Sequence, residues 1–262
     1  MRFAVSLEVF SRTGRPLPTL ILEVADACFD AVSLDPKKII ELSSDQKRDA
    51  LECLDKHGLK VALHAQFSVP FEDLKTIIDL FGSRLESVTF DSVVCWTSAG
   101  FTFDVRRIVP YLKRLDESAR RHGFLYGVED FPEDAWALRM YRDDLQPLLG
   151  SLNYGVLIDV GHLNLSIRKY KYIEVHVEQY FAELPVPLVE VHLSDNDGEE
   201  DQHKPLGAGN VDFAAAAKGL KRIGFDGLTT IEIEQKRRTS VAQVKRKVIE
   251  SLNYWHKILE KA

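Results

Sequence analysis

The sequence predicts an α/β protein, a single (β/α)8 barrel of the TIM type spanning residues 1–262. Three observations favour this fold: short apolar or β-branched runs alternate with stretches of helical period, the count of such units is eight, and no linker divides them. Eight units in about 250 residues indicate a closed parallel barrel covered by helices. A doubly wound open sheet is the alternative, disfavoured because no GxGxxG motif opens the first helix.

Periodicity and capping residues justify each element in turn. The eight strands are expected at 3–10, 31–34, 59–64, 87–91, 124–129, 155–159, 188–192 and 228–232. The helices are expected at 18–29, from a cap at 43–45 through 56, and at 71–81, 103–122, 134–149, 170–184, 213–223 and 240–261. Gly58 and Gly123 follow two of these helices as C-terminal stops, and Thr239 or Ser240 is interpreted as the cap of the last.

Composition sets the broad class of protein. With 262 residues, of which 45% are hydrophobic, the chain can bury a large core, and a net charge of −6 excludes an overall basic field. Its three cysteines are scattered, which indicates a reducing compartment and argues against a thiolate zinc site. No apolar run approaches the ~20 residues that cross a membrane, and the N-terminus does not resemble a signal peptide. We expect a cytoplasmic protein, for which a homo-oligomer is allowed.

Ionisable side chains recur where the predicted strands end. A barrel of this class places its functional residues at the C-terminal ends of its strands or in the loops that follow. From strand three to strand eight these positions hold His64, Asp91, Glu129, Asp159 with His162, His192 with Asp201 and His203, and Glu232. Imidazoles and carboxylates gathered at one rim are the ligands of a divalent metal site.

Four of these residues are the best candidate ligands, because they come from the adjacent strands five to eight: Glu129, Asp159, His192 and Glu232. Three carboxylates with one imidazole suit a divalent ion such as Mn, Mg or Co, and Zn is also accommodated. The remaining five, expected to bind substrate or further metal ions, are His64, Asp91, His162, Asp201 and His203.

Two other features point toward the same rim. The loop after strand seven, which holds Asp195, Asp197, Asp201 and His203, is interpreted as a ligand-bearing loop. Aromatic residues past strands one, three and four, namely Phe10, Phe67 and Trp96, are candidates for lining the pocket. For Trp96, packing against the neighbouring helix is an equally supported alternative.

These residues carry a resemblance to a known group of proteins. Glu129, the DxxH of Asp159 and His162, His192 with the DxH of Asp201 and His203, the LGAGNVDF turn and Glu232 together resemble the xylose-isomerase-like TIM-barrel superfamily. The likeness extends over essentially the whole chain. The superfamily includes sugar and sugar phosphate isomerases and epimerases, and also the apurinic-endonuclease family.

For the epimerases, the resemblance implies a metal-dependent proton transfer on a sugar or sugar phosphate. Glu129 and Glu232 would move the proton at the carbon beside a metal-polarised carbonyl, and His162 would contact a substrate hydroxyl. An arginine that the epimerases carry soon after the strand-seven histidine is missing here, where Asp197 and Gly198 stand.

For the endonucleases, the resemblance implies a zinc phosphodiesterase acting on abasic DNA. The three-zinc ligand pattern matches at every position except one, since Asp91 stands where a histidine is expected. The loop that begins at Asp35 lacks a DNA-penetrating segment, so nucleic acid is the less favoured partner. A metal-binding barrel without catalytic activity is the third alternative.

Overall fold

The computed structural model describes residues 1–91, 94–97, 100–103, 105–130, 146–150, 152–169, 176–235 and 238–262. The strands in this part of the chain are β1 (Arg2–Ser6), β2 (Ala31–Leu34), β3 (Lys60–Ala65), β4 (Leu85–Phe90), β5 (Val94–Thr97), β6 (Gly100–Phe103), β7 (Leu125–Glu129), β8 (Tyr154–Asp159), β9 (Leu188–Leu193) and β10 (Leu228–Ile231). Eight of them close into a parallel barrel in the order β1-β10-β9-β8-β7-β4-β3-β2. The predicted α/β barrel is confirmed.

Helices follow the barrel strands along the chain. The α-helices in the described ranges are Leu17–Ala25, Pro36–Ile40, Ser44–His57, Phe71–Phe81, Val105–His122, Gln146–Leu149, Val160–Arg168, Val177–Ala182, Phe213–Arg222 and Val241–Lys261, and Leu7–Thr13 and Gly82–Arg84 form 3₁₀ turns. The predicted caps at Ser43 and Ser240 are present, each with the reciprocal glutamine contact of a capping box. None of the helices in the described part combines the length and apolar character that crossing a membrane requires.

Alternate residues of each strand point into the barrel, where they form a closed layer at one end, the floor, and an open layer at the other, the mouth. Ala4, Ala31, Ala62 and Leu228 form a small buried cluster of their own, apart from the main core between strands and helices. Two residues further along three of these strands, Ser6, Ser33 and His64 line a cavity at the mouth. Small apolar side chains therefore fill the floor, and polar side chains from the same inward face line the mouth.

Strand one is shorter than the sequence predicts. It ends at Ser6, and Leu7–Thr13 winds into a 3₁₀ turn, so the prediction that the strand extends to Phe10 is wrong. The pairing with β2 stops at Ser6, and the ladder has no further partner to hold an extended backbone. Leu7, Val9 and Phe10 are buried all the same, which explains why apolar residues continue past the strand end.

Other boundaries differ in instructive ways. β5 and β6 form an antiparallel hairpin between residues 94 and 103, where the sequence predicts a loop and then the start of a helix. Val160–Arg168 is a helix that the sequence analysis missed, and it begins directly on the Asp159 cap. The helices predicted at 134–149 and 170–184 lie partly outside the described residues. Within their described portions, Gln146–Leu149 and Val177–Ala182 are helical.

Candidate metal centre

The ends of six adjacent barrel strands bring the predicted site residues to one mouth of the barrel. Around a cavity of about 470 Å³ lie His64, Asp91, Glu129, His162, Asp201, His203 and Glu232. Asp159 and His192 are paired across β8 and β9 and are fully buried beside them. The parallel strands all end on the same side, so residues 168 positions apart in the chain become neighbours.

The central group contains the four candidate ligands of the sequence analysis: Glu129, Asp159, His192 and Glu232. Each offers a nitrogen or oxygen atom, and these atoms all lie within 4.8 Å of one another. His192 Nδ1 is 2.8 Å from Glu232 Oε2 and 3.9 Å from Glu129 Oε1. Because divalent ions bind such donors at about 2.0–2.2 Å, one ion could contact all four. The donor set therefore fits a single divalent cation.

A second group adjoins the first on the β3 side. His64, Glu129 and His192 also place ligand atoms within 4.8 Å of one another. His64 Nε2 lies 2.8 Å from Asp91 Oδ1 and 3.4 Å from Glu129 Oε2, and its Nδ1 is 3.0 Å from Thr89 Oγ1. Glu129 thus belongs to both groups, with one oxygen turned toward each.

A third group lies on the opposite side, under the loop that follows β9. Asp159, His162 and His203 place ligand atoms within 4.8 Å of one another. Asp201 joins the two imidazoles, since one of its oxygens is 3.3 Å from His162 Nε2 and the other is 3.2 Å from His203 Nε2. The arrangement offers nitrogen and oxygen donors for further cations or for substrate hydroxyls.

The histidines of this cluster take up positive charge in the protein without a cation. Burial alone would lower the pKa of His64, but hydrogen bonds to Asp91 and Glu129 outweigh burial and raise that pKa to about 10. Burial would also lower the pKa of His203, but the hydrogen bond to Asp201 and the negative charge of Glu232 outweigh burial and raise that pKa to about 10. Protons on the imidazoles therefore balance the carboxylates, which is the behaviour of a cluster built around a positive charge.

The pKa values of the buried carboxylates shift in two directions. Burial raises the pKa of Asp159 and, more strongly, that of Asp130, and neighbouring carboxylates add to both effects. Burial acts the same way on Glu232, but the charge of His192 and its hydrogen bond dominate and lower the pKa of Glu232. The deep acids thus resist ionisation without a cation, whereas the acid beside the imidazoles is already ionised.

Hydrogen bonds from the backbone and from a serine fix Asp159 in place. Gly161 N donates to its Oδ1 at 2.6 Å, and Ser194 Oγ donates to the same oxygen at 3.1 Å. The Asp159 backbone N–H donates to Asp130 Oδ1 at 2.7 Å. This ligand is therefore held before any cation binds.

Two acids in the loop after β9 hold the loop together and lie apart from the cavity lining. Asp195 accepts hydrogen bonds from the backbone of Gly207, Gly209 and Val211 at 2.9, 2.8 and 3.2 Å. Asp197 accepts from two backbone N–H groups and from a glutamine side chain in the same loop. The interpretation of this loop as ligand-bearing is thus corrected to the later pair, Asp201 and His203.

The aromatic residues proposed as pocket lining lie elsewhere, or their side chains fall outside the described part. Phe10 is buried and lines a separate cavity with Leu7 and Leu20, and Phe67 stacks on Phe90 with ring centroids 4.5 Å apart. Both pack against apolar neighbours and do not line the cavity at the mouth. The side chain of Trp96 is not among those described.

Two buried acids next to the site were missed by the sequence analysis. Asp130 follows Glu129 directly, and its backbone oxygen lies 3.0 Å from His162 Nδ1. Glu190 lies two residues before His192 and is fully buried inside the barrel. A signal was available for Glu190, because the period of two puts it on the same inward face as His192.

The chain is similar to proteins of known sequence. A family model described as xylose isomerase-like TIM barrel matches residues 97–258. An uncharacterized protein of Methanocaldococcus jannaschii, MJ1311, is 24% identical, with 88% of this chain and 83% of the relative covered. A second uncharacterized protein of the same organism, MJ1614, is 23% identical, with 90% and 93% covered.

Solved structures share the fold over nearly the whole chain. The D-psicose 3-epimerase of Clostridium cellulolyticum H10 superposes with a TM-score of 0.75 at 14% identity, with 99% of each chain covered. The 3-keto-D-glucoside 4-epimerase YcjR of E. coli gives 0.74 at 14% identity, with 98% of this chain and 99% of the other covered. At these identities the superpositions show a common fold, and the family match over more than half of the sequence shows that the chain belongs to the xylose isomerase-like TIM barrel family.

Proposed function

We propose that the protein is a divalent-metal-dependent isomerase or epimerase acting on a sugar or sugar phosphate. The observation that carries this proposal is the central group, in which Glu129 and Glu232 lie on either side of His192 and share one potential cation with Asp159. All four open toward, or lie directly beneath, a cavity of about 470 Å³. That volume suits a small polar molecule.

The central group would hold the cation through Glu129, Asp159, His192 and Glu232. A divalent cation bound there would polarise a substrate carbonyl and stabilise the negative charge that develops when the neighbouring carbon loses its proton. Mn, Mg, Co and Zn all fit donors of this kind.

Glu129 and Glu232 are the proposed acid and base. One would take the proton from the carbon beside the carbonyl, and the other would deliver a proton to the product. Burial opposes the ionisation of Glu232, but His192 lowers its pKa and keeps it ionised, so it could act as a base on a C–H that the cation has made more acidic. Inversion at that carbon requires the two groups to act on its opposite faces, and we propose that Glu129 and Glu232 do so.

The remaining cavity wall offers hydrogen-bonding groups for hydroxyls. His162 and His203 meet Asp201 on one side, and Ser33 and Gln66 lie on the other. Sugar hydroxyls both donate and accept hydrogen bonds, so mixed carboxylate, imidazole, hydroxyl and amide groups match them. The sugar epimerases with the same fold agree with this substrate class.

A second candidate function is hydrolysis of a phosphodiester in abasic DNA. The observation that favours it is the pair of flanking groups, which provides donors for two cations in addition to the central one. Against it, Pro36–Ile40 is a short helix whose two lysines already contact Gln66 and Glu8 and offer no wedge for a duplex.

Metal content and two assays separate these functions. We expect about one tightly bound divalent ion per chain, ketose epimerisation in its presence, and no nicking of an abasic duplex. Two or three zinc ions together with nicking would reverse the order of the candidates. A bound ion with neither activity would favour the third alternative, a metal-binding barrel without catalysis.

His64→Ala tests the number of essential ions. In an epimerase with one central ion, we expect a modest loss of kcat, at most about tenfold, because His64 lies outside the central group. In a multinuclear hydrolase, the loss would equal that of Glu129→Gln, since the second group would lose a ligand. Lys75→Ala, on an outer helix, serves as the matched control.

Five further points stay predictions: the sugar partner, the choice between sugar and sugar phosphate, the single domain over 1–262, the cytoplasmic location and the oligomeric state.

A further inference from the structure

A fully buried carboxylate lies inside the barrel, one layer below the candidate metal centre. Glu190 has no exposed surface, and it sits on β9 two residues before His192. Ser87 Oγ donates to its Oε2 at 2.6 Å, and Thr230 Oγ1 donates to its Oε1 at 2.5 Å. Two neutral hydroxyls compensate only part of the cost of burying a carboxylate, so a further partner is expected.

The missing partner is the ring nitrogen of His192 that faces away from the mouth. His192 Nδ1 points to Glu232 and Glu129, whereas its Nε2 points down the barrel, 3.4 Å from Glu190 Oε1. Among the described residues, Nε2 is a buried atom without a hydrogen-bond partner of good geometry. An imidazole that binds a cation through one nitrogen carries its hydrogen on the other.

We propose that Glu190 is a positioning residue that accepts the Nε2–H of His192 and so presents Nδ1 to the cation. This inference rests on the metal site of the proposed function and does not depend on the identity of the sugar. The contact fixes the tautomer and the orientation of the ring, and it increases the basicity of the nitrogen that binds. Glu190 itself does not touch the cation or the substrate.

A purely structural role is the competing explanation, because Glu190 also links β4 to β10 through Ser87 and Thr230. The two roles differ in what they stabilise. A structural link would contribute to the stability of the metal-free protein. A positioning residue would contribute to metal affinity, whether or not it also stabilises the metal-free protein.

Glu190→Gln separates the two roles, with Mn²⁺ as the probe and no sugar present. Competition with a fluorescent chelator should show Mn²⁺ affinity reduced about 10–100-fold, the usual effect of losing such a partner. Thermal unfolding of the metal-free variant should show one cooperative transition, which verifies that the affinity is measured on folded protein. Ser87→Ala is the matched control, which removes a hydroxyl from the same carboxylate and should keep the Mn²⁺ affinity within about threefold.

Ring-nitrogen NMR of the Zn²⁺-loaded protein gives a readout of the tautomer itself. The wild type should show His192 with its hydrogen on Nε2, and Glu190→Gln should show exchange broadening or a mixture. If Glu190→Gln does not fold, Glu190→Asp replaces it, with the carboxylate withdrawn from Nε2 and the same loss of affinity expected.

Wild-type Mn²⁺ affinity in Glu190→Gln would overturn the inference, whether or not the metal-free Tm falls. Failure of the proposed function looks different, because the wild type itself would then bind no Mn²⁺.

Discussion

The two halves of the barrel mouth are built in opposite ways. On the half formed by β7 to β10, Glu129 exposes 8% of its side chain, and Asp159 and His192 are fully buried. On the half formed by β1 to β3, Glu8 exposes 47% of its side chain and pairs with Lys38, which exposes 50%. The ligands of the first half are buried and held by internal hydrogen bonds, whereas the Glu8–Lys38 pair of the second half is in contact with solvent.

This difference suggests a division of labour. Buried ligands with fixed partners keep a cation and its acid–base groups in one geometry, which catalysis requires. Exposed side chains exchange water for substrate hydroxyls at little cost, but each contributes only a modest free energy. The following predictions test whether chemistry belongs to the first half and recognition to the second.

Removing the cation should have the largest effect, because it disables the buried half as a whole. Protein treated with EDTA should lose sugar turnover, and Mn²⁺ should restore it. Saturation at about 100 times Kd stabilises by about 2.7 kcal/mol, which corresponds to a Tm increase of about 5–10 °C for a chain of this size. Unchanged activity and Tm after EDTA, in a protein verified to be metal-free, would contradict the division.

Replacing either proposed acid–base residue should come next. We expect Glu129→Gln and Glu232→Gln each to lower kcat by about 10²–10⁴-fold or more, since each loses a proton-transfer group and a metal ligand. The matched control is Glu234→Gln, whose side chain lies two residues beyond Glu232 and is 55% exposed. Steady-state kinetics should show less than about a twofold change for the control, and an equal loss there would contradict the assignment.

A change in the solvated half should affect recognition. Glu8 lines the same cavity, and losing one hydrogen bond there costs about 1 kcal/mol. Glu8→Gln should therefore raise KM about fivefold with little change in kcat. Glu52→Gln, on an outer helix and 72% exposed, is the control that should change neither. A decrease in kcat with unchanged KM would contradict this division, because it would give Glu8 a role in the chemical step.

The smallest expected effect is a pH dependence of the metal-free protein. The pKa values of His64 and His203 are raised from 6.5 to about 10 by their carboxylate partners, although burial opposes the shift. A raised pKa contributes stability that is fully present below about pH 6.5 and is lost as the pH rises through about 10. The Tm of the metal-free protein should therefore fall between pH 7 and 10.

The Mn²⁺-loaded protein should show a smaller decline over this range, because the cation takes the place of the protons. His64→Gln in the metal-free state should also flatten the profile. A metal-free Tm that stays constant from pH 6 to 10 would show that these imidazoles are not protonated in the folded protein.

Much of the fold could be predicted from local pattern. Alternation and apolar runs located all eight barrel strands, and the residues at 43 and 240 marked helix starts, because capping depends on a side chain and a backbone only three residues apart. The hairpin of β5 and β6 escaped prediction, since the stretch around Gly100 is interpreted from the sequence as a loop before the helix at Phe103. The end of β1 escaped as well, because only its partner strand decides where pairing stops.

The chain by itself determined which residues stand at the strand ends, and from that the kind of chemistry the mouth can support. Tertiary structure decided which acids hold the loop, as Asp195 does, and which face the cavity, as Asp201 does. It also decided that Glu190 lies under His192, with two hydroxyls from other strands on its oxygens. The physical reason is that strand-end position follows from local sequence, whereas the partners of a buried charge come from distant segments that only closure of the barrel brings together.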